Sequence, residues 1–150
     1  MSRLGPGVAW TRNQKTGDLT AFVAGAAGQA GSLINLEEAE TAPGNAATFQ
    51  NDAAREDMGG LFFDFDGDGD DDLYAVSGGL GRFSGDFLLS DRLYINDGSG
   101  GYERAGSDVL PSDSVSGSVA TAADFDRDGD LDLFVGARFV PRRYPETPSS

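Results

Sequence analysis

The sequence predicts an all-β protein made of repeated units of short antiparallel strands, and three observations predict it. An acidic loop occurs twice, from Asp64 to Asp72 and from Asp124 to Asp132, and its acids superpose without gaps at an offset of 60 residues (64 to 124). Apolar, β-favouring runs flank each loop and are too short for a helix of ordinary length. Glycine makes up 22 of the 150 residues, as many tight turns between short strands require.

The units read as follows. In the second, Leu61 to Phe63 is a strand before the loop and Leu73 to Val76 a strand after it. Asp91-Arg92-Leu93-Tyr94-Ile95 then alternates polar and apolar, Asp97-Gly98 carries a hairpin signal, and Tyr102 to Ala105 is the return strand. The third unit repeats the start, with strands at Val119–Ala123 and Leu131–Val135. A weaker first copy opens the chain: Gly7 to Trp10, then Thr11 to Gly17, then Asp18 to Val23. There the acidic half of the loop has become Thr11, Asn13 and Lys15, with Thr20 where Asp132 sits. Ser32–Asn35 and Ala47–Gln50 are assigned as its outer strands, and Leu36 to Glu40 as a helical turn. Four strands per unit of about 60 residues is the size of a β-propeller blade with long loops. The predicted fold is therefore a partial propeller of about two and a half blades. Its divisions are 1–57, a degenerate blade; 58–117, a blade with an acidic loop; and 118–150, the start of a further blade.

Composition removes whole classes of function. With 11 basic and 25 acidic side chains the net charge is −14, which argues against binding nucleic acid or an anionic membrane surface, since only Lys15 and ten scattered arginines could form the basic patch either needs. The absence of cysteine excludes disulfides, thiolate zinc sites and a cysteine nucleophile. The absence of histidine excludes a Ser-His-Asp triad and the usual zinc, copper and non-haem iron sites. No apolar run approaches the ~20 residues of a membrane helix. Met1 to Gly7 contains no apolar segment of the secretory kind.

The acidic loops carry the chemistry that remains. Asp64, Asp66 and Asp68 stand at positions 1, 3 and 5, Gly69 at 6 and Asp72 at 9; Asp124, Asp126, Asp128, Gly129 and Asp132 match them. Carboxylates at alternate positions converge if the backbone curls, and the glycine permits the turn. Asp70 and Asp130, at position 7, would offer backbone carbonyls. An all-oxygen set of this kind suits Ca²⁺ at ~2.3–2.6 Å better than Mg²⁺, so two calcium sites are expected. The alternative is solvated acidic turns. Against it, the two nine-residue windows hold 11 of the 25 acids, whose mutual repulsion would be severe without a cation. An EF-hand is excluded because position 12 is Ala75 or Val135 inside a strand-like run.

The strand–DxDxDGxxD–strand pattern resembles the FG-GAP/VCBS repeat family, the blades of integrin-α-like β-propellers. Asp64-Phe65-Asp66-Gly67-Asp68-Gly69 with Asp72-Leu73, and Asp124-Phe125-Asp126-Arg127-Asp128-Gly129 with Asp132-Leu133, match its calcium motif in full. Phe134 to Ala137 and Arg92 to Tyr102 are similar to other parts of the repeat, and Arg143-Tyr144-Pro145 is similar to bacterial members bearing an ASPIC/UnbV-type region. The resemblance implies calcium between the first two strands of a blade, holding loops rigid, and an extracellular or cell-surface location. It also implies a recognition or adhesion role toward an extracellular protein or glycan, without catalysis. The alternative is the propeller portion of an extracellular polysaccharide-active enzyme; a plain calcium buffer is disfavoured by the strand context. Because a ring needs at least four blades, the chain is read as a segment of a larger propeller, with remaining blades in the parent chain and Met1 not the natural start.

Other residues have blander expectations. Trp10, Phe22, Tyr74 and Phe134 are expected to pack between blades, and Phe62, Phe63, Phe65 and Phe125 to anchor the core beside the loops. Arg138, Arg142 and Arg143 read as a solvated basic cluster, and nothing in the spacing of Asp86, Asp91 and Asp97 requires glycosidase-style pairing. If the loops are separate sites, Asp68→Ala or Asp128→Ala weakens calcium binding at its own loop and spares the other. Calcium titration of each variant checks this, and loss at both loops from one change would contradict it.

Overall fold

The computed structural model describes residues 7–38, 40–41, 46–79, 86–111 and 116–139. They form three antiparallel sheets and one short helix. The first sheet has the order β1 (Val8–Arg12), β2 (Leu19–Val23), β3 (Ser32–Asn35), β4 (Glu40–Thr41). The helix α1 (Ala46–Gln50) follows. The second sheet is β5 (Asp57–Phe63), β6 (Asp72–Ser77), β7 (Arg92–Asn96), β8 (Tyr102–Arg104), with a 3-10 turn at Asp86–Leu89 between β6 and β7. The third pairs β9 (Ser116–Ala123) with β10 (Asp132–Phe139). The two four-stranded sheets are meanders and the third is a hairpin, and the first strands of the sheets are neighbours: β5 lies against β1 on one side and β9 on the other. This is the arrangement of propeller blades, without a closed ring.

The middle sheet explains the order. Every residue of β6 is buried, and the two-residue period of a strand sends alternate side chains to opposite faces. Leu73 and Ala75 join Phe22, Leu33, Phe49, Tyr94 and Tyr102 in a core between the first and second sheets. Tyr74 and Val76 join Phe63 in a second core, packed by Met58, Leu61, Ala120, Ala122, Leu133 and Val135 toward the third sheet. The expectation for Phe22 and Tyr74 is met. Trp10, 68% exposed, and Phe134, 47% exposed, instead lie on the outward faces of the two end sheets. Phe65 and Phe125 are also exposed and do not anchor a core; Phe65 leans on Phe63 and Phe125 on Phe134, at centroid distances of 6.1 and 5.7 Å. They sit in the loops, beyond the edge of the sheets.

The strand assigned to Ala47–Gln50 is wrong: this segment is helix α1, and the fourth strand is Glu40–Thr41. Its one buried apolar side chain, Phe49, enters the first core with its ring centroid 4.8 Å from Tyr94 and 5.8 Å from Phe22. A single anchor of this kind needs no alternating pattern, so the sequence carries no strand signal there. Leu36–Glu38 is a hairpin turn rather than a helical one, because Asn35 Oδ1 accepts the amides of Glu37 and Glu38; residue 39 lies outside the described residues.

The chain between α1 and β5 is stapled to the second sheet by buried charge. Asp52 accepts from Arg55 Nε at 3.0 Å, Arg104 Nη1 at 2.8 Å and Tyr94 Oη at 3.0 Å. Asp57 pairs with Arg92, and both are buried. Phe22 is fully buried in the first core. Phe22→Ala is expected to cost about 3–5 kcal/mol by lost transfer energy and an unfilled cavity, read as a lower urea midpoint with unchanged slope.

Candidate metal centre

Each acidic loop joins the first two strands of its sheet, from Phe63 to Asp72 and from Ala123 to Asp132. Those residues are the last ladder pairs of their hairpins, so the strands set the width of both loop mouths. The expected turn at position 6 is present, with φ of 89° at Gly69 and 101° at Gly129. Position 4 is left-handed as well, Gly67 at 78° and Arg127 at 65°. Arg127 is the one non-glycine with positive φ among the described residues.

The curl is held by side chains bonding to loop amides. Asp64 Oδ1 accepts from Gly67 N at 2.8 Å, and Asp64 Oδ2 from Gly69 N at 3.0 Å. Asp66 accepts from Asp68 N, and Asp68 from Asp70 N; Asp126 and Asp128 repeat this pair. Asp72 Oδ2 accepts from Phe65 N at 2.9 Å, and Asp132 Oδ2 from Phe125 N at 2.9 Å.

Carboxylate oxygens of Asp64, Asp66 and Asp72 lie within 4.8 Å of one another, as do those of Asp124, Asp126 and Asp128. Of the ten aspartates singled out in the sequence, six thus fall into two trios. Asp68 lies outside the first trio and Asp132 outside the second; Asp70 and Asp130 belong to neither. The donor set is entirely carboxylate oxygen, which fits a hard divalent cation and offers nothing to a soft one.

The two loops differ in their surroundings. Asp72 is almost wholly buried, and Asn96 N of β7 donates to its Oδ1 at 2.8 Å. Burial pushes its carboxyl above the usual aspartate range, against the opposing pull of the Asn96 and Phe65 amides. A cation would favour the ionised form there. Asn96 Nδ2 and Tyr102 Oη both donate to Asp71 O, at 3.1 and 3.0 Å, so the outer strands hold the loop's exit. Neither residue was anticipated as part of the site; their only sequence signal is that they bracket the Asp-Gly hairpin. In the second loop every acid is exposed.

Ladder pairing also corrects the degenerate first loop. Thr11 pairs with Thr20 as Phe63 pairs with Asp72. Arg12, Gln14, Thr16 and Thr20 therefore occupy the acidic places, one residue on from the sequence assignment of Thr11, Asn13 and Lys15. The turn glycine persists, with φ of 84° at Gly17.

Other candidates prove structural or fall outside the described residues. Asp91 accepts from Tyr74 Oη at 2.7 Å and Ser77 N at 2.6 Å. Asp97 caps its hairpin by accepting from Ser99 and Gly101, and the hydrogen bond from the Ser99 hydroxyl holds its carboxyl below the usual range. Arg138 is exposed. The Asp86 side chain, Arg142 and Arg143-Tyr144-Pro145 lie outside the described residues.

Residues 64–135 match the family model for the FG-GAP-like repeat. No curated protein and no solved structure matches the chain.

The burial contrast can be tested in chelator. Asp72→Ala strands two amides and is expected to cost about 1–3 kcal/mol, whereas exposed Asp132→Ala should stay within about 0.5 kcal/mol of the parent. Urea unfolding of both variants checks the difference.

Proposed function

We propose that the chain, whose residues 64–135 match the family model for the FG-GAP-like repeat, is a calcium-binding β-propeller segment of a larger secreted or surface protein, serving recognition or adhesion without catalysis. The observation that carries this reading is the pair of carboxylate trios, each formed at the mouth of a strand hairpin within the family stretch. Asp64, Asp66, Asp68 and Asp72 would hold one Ca²⁺, and Asp124, Asp126, Asp128 and Asp132 the other, with the carbonyls of Asp70 and Asp130 completing the oxygen shells. A bound Ca²⁺ supplies positive charge and no redox chemistry. The chain's own residues do the rest: Asn96 and Tyr102 seat the first loop on its sheet, and the cores hold the loop mouths at constant width.

A structural role for the ions is supported by how the acids are anchored. Each loop is bonded to its own strands and amides, so neutralising it stiffens the hairpin. The role of further blades in the parent chain is supported by the two end faces. Val8 and Trp10 on one, with Val119 and Phe134 on the other, present apolar side chains where a propeller places its neighbouring blades. An extracellular protein or glycan would then be bound by other loops of the disc. No helix among the described residues is long and apolar enough to cross a membrane.

Calcium titration by calorimetry, paired with thermal unfolding in calcium and in chelator, tests the reading. Two bound ions and a raised Tm are the expected result, since a ligand at about 100 times its Kd adds about 2.7 kcal/mol per site. A stable fold that binds no calcium would overturn it.

A further inference from the structure

The first sheet's loop has lost its acids, yet it reaches the loop of the next sheet. Lys15, the chain's single lysine, donates from Nζ to Asp70 Oδ2 at 2.7 Å. Thr11 Oγ1 donates to Asp71 Oδ2. Asp70 is only 5% exposed, and a carboxylate withdrawn that far from water needs a partner. Gly98 of the β7–β8 turn closes over the same carboxylate: a Cβ there would stand 2.7 Å from Asp70 Oδ2. Asp70 therefore sits between a glycine turn of its own sheet and an ammonium from its neighbour.

The ladder register places Lys15 at position 4 of its loop. Gly67 holds that place in the second loop and has no side chain to extend toward the third. Asp130, the counterpart of Asp70, is exposed and makes no ion pair among the described residues. One acidic loop is braced from the preceding sheet, and the other is not.

We propose that Lys15 and Thr11 are positioning residues, which hold the 64–72 loop in its curled form before any cation arrives and make it the tighter of the two sites. The 124–132 loop has only its own aspartate–amide bonds to hold it before a cation arrives. The affinity half of this proposal rests on the calcium reading; the metal-free half does not. Two effects oppose each other at Lys15: its positive charge repels a cation, and its bond prearranges the carboxylates. The near-complete burial of Asp70 decides for prearrangement, because an unpaired Asp70 must either reach water or distort the loop around it.

Amide hydrogen exchange by NMR on the whole chain in chelator reads the brace directly. Asp68 and Asp70, whose amides bond to Asp66 and Asp68, are expected to exchange about tenfold more slowly than Asp128 and Asp130, which make the same bonds in the unbraced loop. Lys15→Met should remove most of that difference, and Lys15→Arg should keep it. Adding Asp70→Asn to Lys15→Met should restore part of the protection, since a neutral amide needs no counter-charge. Equal exchange in the parent and Lys15→Met would overturn the brace. Calcium titration of the same proteins is expected to show the 64–72 site weakened about three- to tenfold by Lys15→Met through lost preorganisation, with the 124–132 site unchanged. Tighter binding at 64–72 would mean that Lys15 is only a competing charge, and unchanged binding that it contributes nothing to affinity; either overturns the affinity half. Should no variant bind calcium, the calcium reading fails together with the affinity half, and the exchange data alone decide the brace.

Discussion

A sheet that is apolar on both faces must be covered on both faces, and most of this architecture follows from that constraint. Strand β6 sends Leu73 and Ala75 to one side and Tyr74 and Val76 to the other, so the second sheet is stable only between two neighbours. The first and third sheets supply them. Each does so with one face, and each leaves its second face with exposed aromatic side chains, Trp10 at one end and Phe134 at the other. The exposure of these rings is the same constraint, unmet.

Stacked sheets place their loops side by side along one rim, and the crowding of negative charge there is the second organising fact. Within each loop, amides of the chain absorb part of the charge: Gly67 and Gly69 donate to Asp64, and Phe65 and Asn96 donate to Asp72. Between loops, Lys15 absorbs more at Asp70. What remains is a trio of carboxylates whose oxygens lie within 4.8 Å of one another. The buried pair Asp57–Arg92 and the Asp52 cluster solve the same electrostatic problem inside the protein. There the partners are the guanidinium groups of Arg55, Arg92 and Arg104.

Much of this was legible in the sequence, for reasons that are local. A two-residue alternation, an Asp-Gly turn and acids at positions 1, 3, 5 and 9 of a nine-residue loop are each read within a few residues, and each names one element. The register of the hairpins follows from them once the loop length is known. Less legible was helix α1, whose role rests on one ring, Phe49, meeting Phe22 and Tyr94 from distant strands. Phe65 and Phe125 look like core residues by type and stand exposed, because the loop carries them past the end of the sheet.

The sequence alone determined the repeat, the strands that flank the loops and the donor type the loops offer, since backbone preference and ligand type are properties of adjacent residues. Tertiary structure decided what depends on distance in space. It selected Asp72 rather than Asp68 for the first trio, because Asn96 of β7 holds Asp72 inside. It moved the degenerate loop's alignment by one residue, through the pairing of Thr11 with Thr20. It also made the two acidic loops unequal. Their sequences are nearly the same, but only one has a lysine from the preceding sheet lying against it, and an ion pair across 55 residues of chain leaves no mark on either loop's own pattern.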